Sequence, residues 1–121
     1  MAVTVTTQNN PVATKLVVNT DTDETADTNV TGAAGTIYLA EVDNTANSAI
    51  SYVKLYNTSS VTVGTTVPDL VFMVAASSNR TYAMPAGIAF GSAISMAALT
   101  TGGTAGTTGP TSAVTVRLLS T

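Results

Sequence analysis

The apolar residues of this chain come in short runs rich in β-branched side chains, and that pattern restricts the fold more than any other feature. Val and Thr dominate these runs, which are separated by Gly, Asn, Asp, Ser and Pro. Side chains branched at Cβ suit a half-buried pleated surface, and the intervening residues favour turns. Helical spacing at i, i+3, i+4, i+7 is not sustained over any stretch of three turns. The stretch Ser92–Thr100 (SAISMAALT) contains helix formers, yet Ile94, Met96 and Ala98 alternate with Ser95 and Ala97, and a strand fits them better.

Eight strands are expected, at Ala2–Thr7, Thr14–Asn19, Thr36–Val42, Ile50–Tyr56, Leu70–Ala75, Arg80–Met84, Ser92–Leu99 and Ala113–Leu119. In Tyr52-Val53-Lys54-Leu55-Tyr56, period-two alternation puts Val53 and Leu55 on one face and Tyr52, Lys54 and Tyr56 on the other. The last strand repeats the pattern, with Val114, Val116 and Leu118 facing in and Thr115 and Arg117 facing out. Leu70–Ala75 is apolar on both faces, so it is expected either at the centre of a sheet or under a partner. About eight short strands with turns between them imply an all-β fold, an antiparallel two-sheet β-sandwich. A jelly roll is among the topologies that fit. Residues 1–121 read as a single domain with polar loops at 20–35 and 100–111. The second loop, TTGGTAGTTGPT, has nothing large to bury.

Composition removes several classes of function. Only 9% of the residues are charged, against roughly 25% in an ordinary domain, and the net charge is −3. The absence of Cys rules out disulfides, thiolate nucleophiles and thiolate metal sites. The absence of His rules out Ser-His-Asp and Cys-His pairs and imidazole ligation. Two Lys and two Arg form no basic footprint for nucleic acid or an anionic membrane. The longest apolar run, Leu70–Ala76, is far shorter than the roughly 20 residues of a membrane-spanning helix. The start, Met1-Ala2-Val3-Thr4, has neither the basic nor the apolar region of a signal peptide.

The remaining constellations read as structural. Asp21, Asp23, Glu24 and Asp27 suggest a calcium loop, but an EF-hand needs Gly at its sixth position and Glu at its twelfth. Counted from Asp21, those positions hold Ala26 and Gly32, so a solvated acidic loop without a metal is expected, with a weak Ca²⁺ or Mg²⁺ site between subunits as the rival reading. Glu41, Asp43 and Asp69 are surface or turn carboxylates without a partner that would tune them for acid–base work. Gly102-Gly103 and Gly106 lack the Lys and the following helix of a phosphate loop. Asn29, Asn57 and Asn79 begin formal glycosylation sequons, which matter only in a secreted chain. Lys54, Asp69, Arg80 and Arg117 are few enough that each is a candidate for one specific pair. No catalytic residue and no cofactor are expected. The tyrosines Tyr38, Tyr52, Tyr56 and Tyr82 fit a core edge or interface, with a sugar-stacking platform as the rival reading.

Ser51-Tyr-Val-Lys-Leu-Tyr-Asn57, Val63-Gly-Thr-Thr-Val-Pro-Asp69 and Leu70–Val74 form one block with a distinctive pattern. With Met84-Pro-Ala-Gly-Ile-Ala-Phe-Gly91 and Ala93-Ile-Ser-Met-Ala-Ala98, this block resembles small virion structural proteins of tailed bacteriophages. The resemblance covers about Ala49–Leu119 and includes no catalytic signature. It implies a β-sandwich on the exterior of a phage capsid, where a decoration (cement) protein binds the major capsid protein between capsomers. Homo-oligomers such as trimers would be normal there. The alternative in the same setting is a carbohydrate- or receptor-binding module of a tail fibre, neck or adhesin. Tyr52, Tyr56, Met84 and Phe90 are the expected interface residues. The 20–35 loop is expected to be loose and to order only on docking across a subunit boundary.

Overall fold

The β-branched runs form eight strands in the computed structural model, which describes residues 2–7 and 13–121. They are β1 (Val3–Thr7), β2 (Lys15–Thr22), β3 (Gly35–Asp43), β4 (Ser51–Tyr56), β5 (Leu70–Val74), β6 (Asn79–Phe90), β7 (Ser95–Leu99) and β8 (Val114–Ser120). One antiparallel sheet runs β1-β2-β8-β3-β6 and the other β5-β4-β7. Asp27 makes an antiparallel bridge to Met96 on the far side of β7. Counting that segment as a rudimentary strand, β2-β8-β3-β6 faces 27-β7-β4-β5, which is jelly-roll order with β1 added outside.

Both sheets contribute to one core. Val17, Ile37, Val42, Val114, Val116 and Leu118 from the larger sheet meet Val53, Leu55, Phe72, Val74, Met96 and Ala98 from the smaller. All are at least nine-tenths buried, and burying each of the larger side chains contributes about 1.5–3 kcal/mol. At the end of the sandwich near the β5–β6 turn, two buried asparagines replace apolar packing. The Asn44 amide donates to the carbonyls of Ala49, Val74 and Ala75, while its oxygen accepts from Asn47 and Ser51. Asn47 also exchanges hydrogen bonds with Ser112. Every buried polar atom of these amides is thus satisfied, and three chain segments are tied together.

The structure corrects two local expectations and decides between the alternatives of a third. The sixth strand does not end at Met84 but continues to Phe90. β6 is an edge strand, where the missing N–H of Pro85 costs little, and its register against β3 jumps from Ala83 to Ile88. Met84–Gly87 arches out opposite Tyr38, and Gly87 takes φ 76°. A β-carbon there would stand 2.5 Å from Thr36 Cγ2, so only glycine fits without a shift. β5 lies at the edge of its sheet, not at the centre. The 20–35 segment is not loose. β2 extends to Thr22, and beyond it Asp27 and Met96 exchange backbone hydrogen bonds, Ala98 N–H donates to Asp23 O, and Val30 N–H donates to Ile94 O.

Candidate interaction surface

Period-two alternation assigns Leu70, Phe72 and Val74 of β5 to the core, and so sends Val71 and Met73 to the other face. That outer face is open along β5. Met73 is 46% and Val71 38% exposed, and Ile50, just before β4, is 41% exposed. Met73 lies opposite Tyr52 and Val71 opposite Lys54 in the β4–β5 register. A strip of apolar side chains therefore borders the half-buried Tyr52 ring. Val67, in the connection into β5, is 70% exposed and is the most exposed large apolar residue among those described. Ile50 also lines a shallow depression with Asn47, Ser51, Thr100, Pro110 and Thr111.

The rest of this outer face is covered. Residues 100–113, with no regular secondary structure, fold back over β4. Gly102 lies on the Tyr52 ring, where a β-carbon would stand 3.0 Å from Cε1. Glu24 of the acidic segment lies against Gly109. The Gly/Thr loop, expected to bury nothing, instead accompanies the complete burial of Lys54, because its small residues let the backbone lie flat on a strand.

Lys54 occupies an unusual environment. Its Nζ donates to Ala105 O at 3.3 Å, and among the described residues no carboxylate pairs with it. Desolvation holds its amine below the ordinary lysine range. Tyr56, two residues along the same face, is fully buried with its hydroxyl unpartnered, and burial pushes its phenol up. The other charges are conventional. Arg117 pairs with Glu41 at 3.1 Å directly across the β3–β8 register. Arg80 lies 5.4 Å from the Tyr82 ring centroid, and Asp69 accepts from the Asn57 N–H. Asp43 accepts from the hydroxyl and N–H of Thr45, which holds its carboxyl below the usual range.

The expected interface residues do not form one surface. Tyr56 and Phe90 are packed inside the chain, and Phe90 belongs to the core. Met84 is half-buried against that core, in the β6 arch. Only Tyr52 borders the open strip. The four tyrosines are likewise divided, with Tyr52 and Tyr56 on β4 and Tyr38 and Tyr82 on the other sheet. Tyr82 stacks on Phe72 at 4.8 Å between centroids and donates its hydroxyl to Met73 O, closing the gap between the sheets. In the acidic segment, Asp23 accepts from Thr25 and Asp27 from the Asn19 amide. Burial raises the Asp27 carboxyl despite that bond. Among the described residues no three acidic side chains converge as a metal site would require.

Val71 and Met73 were signalled by the two-sided apolarity of Leu70–Ala75. Ile50 and Val67 carry no such signal, because single apolar residues at strand ends and in turns are common on any surface. A second apolar row crosses the outer face of the larger sheet, where Leu16, Leu119 and Leu39 are register neighbours. These leucines are half-buried and shield one another, leaving less to offer than Met73. No family model matches the chain, and no curated protein or solved structure matches it either.

Proposed function

We propose that the chain is a non-enzymatic structural protein of a tailed-phage virion, a capsid decoration protein that docks by the outer face of β5. The observation that carries this reading is the exposure of Val71 and Met73 beside Tyr52 on an otherwise covered sheet. A strand apolar on both faces, lying at a sheet edge, is a liability unless a partner covers it. Few charges around the strip keep its desolvation cost low when it is buried against a shell. The block Ser51–Val74, which carries the resemblance to virion proteins, is the β4–β5 hairpin that bears this strip. The major capsid protein is the proposed partner, with many copies bridging adjacent capsomers on the capsid exterior.

Quantitative mass spectrometry of purified virions tests the role. The reading expects this chain in simple stoichiometric ratio to the major capsid protein, as a closed symmetric shell requires. A ratio fitting only one vertex or the tail would overturn decoration in favour of a receptor-binding or neck component. Absence from the particle would overturn both. Met73→Asp tests the surface: it should abolish capsid binding while the isolated protein keeps its melting temperature.

A further inference from the structure

The stretch Thr101–Thr107 crosses β4 with few hydrogen bonds holding it. Among the described residues, its one hydrogen bond to the rest of the chain is the donation from Lys54 Nζ to Ala105 O. The anchors lie outside it, at Thr100 N–H to Thr108 O and in the exchange between Ser112 and Asn47. Gly103 and Gly106 inside it adopt φ 70° and 99°. The latch itself is poor. A fully buried ammonium has three donors, and a single carbonyl at 3.3 Å accepts from it. Among the described residues no opposite charge faces it: β5 presents Val71 and β7 presents Ala97. Its own strand presents Tyr52 and Tyr56, and residues 100–113 contain no ionisable side chain. Glu24 lies at the far end, against Gly109, and Asp69 is engaged with Asn57. Opening the stretch would return the ammonium to water at the cost of one hydrogen bond and of the packing of Gly102 on Tyr52 and of Gly106 and Thr107 on Gly64.

We propose that Thr101–Thr107 is a strap that opens and closes over β4, with Lys54 as its latch. Opening uncovers Lys54 and the Tyr52 ring beside Val71 and Met73, and so enlarges the proposed docking surface. That consequence rests on the decoration reading; the opening itself does not. Loss of the amine's charge removes the drive to hydrate it, so the strap closes more tightly as pH rises.

Amine acylation read by mass spectrometry on the isolated full chain tests the strap without any capsid. Lys15 is the half-buried internal reference, and the amide protection of Val116 in β8 reports global unfolding. Lys54 should react about tenfold more slowly than Lys15, yet reach completion while Val116 stays protected, the signature of local opening. Gly106→Ala strains the closed strap, because its β-carbon would stand 2.8 Å from Thr101 Cβ. That variant should speed Lys54 acylation about tenfold and leave Lys15 unchanged. Equal rates for Lys54 and Lys15 in the wild type would overturn the closed strap. Acylation of Lys54 only in step with loss of Val116 protection, in both proteins, would overturn the opening.

Discussion

β4 and β8 carry the same alternation, and their outer faces meet opposite fates. In Tyr52-Val-Lys-Leu-Tyr56 and Val114-Thr-Val-Arg-Leu118, apolar residues two apart point to the core and a single cation points away. On β8 the cation behaves as the pattern implies: the Arg117 side chain is 47% exposed and pairs with Glu41 on the neighbouring strand. On β4 the cation is fully buried under residues 100–113 and rests on one carbonyl. Alternation along a strand therefore specifies which side chains share a face. It does not specify whether the second face meets water.

The inner faces should not distinguish the strands. Leu55→Ala and Leu118→Ala each remove a fully buried side chain and should cost about 2–5 kcal/mol, measured by denaturant melts. A much smaller loss at Leu55 would mean that the smaller sheet repacks, and the comparison would then start from unequal cores. The outer faces should differ in sign. Lys54→Met replaces an uncompensated buried ammonium with an apolar chain of similar length, and should stabilise the protein by about 1–3 kcal/mol. Arg117→Met at the exposed site should stay within about 0.5 kcal/mol of wild type, and its effect should shrink further with added salt. A destabilised Lys54→Met protein would show that the hydrogen bond to Ala105 outweighs desolvation.

The two cations should also differ in pH dependence. Lys54 is held below its unfolded value of 10.5, so the folded state takes up fewer protons than the unfolded state between the two values. Stability should rise as pH climbs through the folded value toward 10.5. Tyr56 acts in the opposite sense above 10.0, because burial raises its phenol and ionisation is easier in the unfolded chain. The rise is therefore sought below pH 10, where it should be present in wild type and in Arg117→Met and absent from Lys54→Met. Glu41→Gln removes the same half-exposed ion pair as Arg117→Met and should likewise shift stability by no more than about 0.5 kcal/mol.

Much of this fold was legible beforehand because its signals are local. All eight strands overlap the stretches where alternation places them, and the two-sheet class follows from their number and spacing. The errors fall where distant segments intervene. β6 passes through Pro85 because its outer edge is free, and no local signal marks an edge strand. The acidic segment looks solvated, but the unpaired edge of β7 captures its backbone at Asp27. The candidate surface was half legible: two-sided apolarity marked Val71 and Met73, while nothing marked Tyr56 and Phe90 as interior.

The sequence by itself determined the strands, their inward faces and the absence of thiol and imidazole chemistry, since each depends on residue type or on a period of two. Only the tertiary structure decided which outward faces are covered. Cover is supplied by chain remote in sequence, as Ala105 reaches Lys54 from 51 residues away, and alternation within a strand carries no record of what will later lie across it.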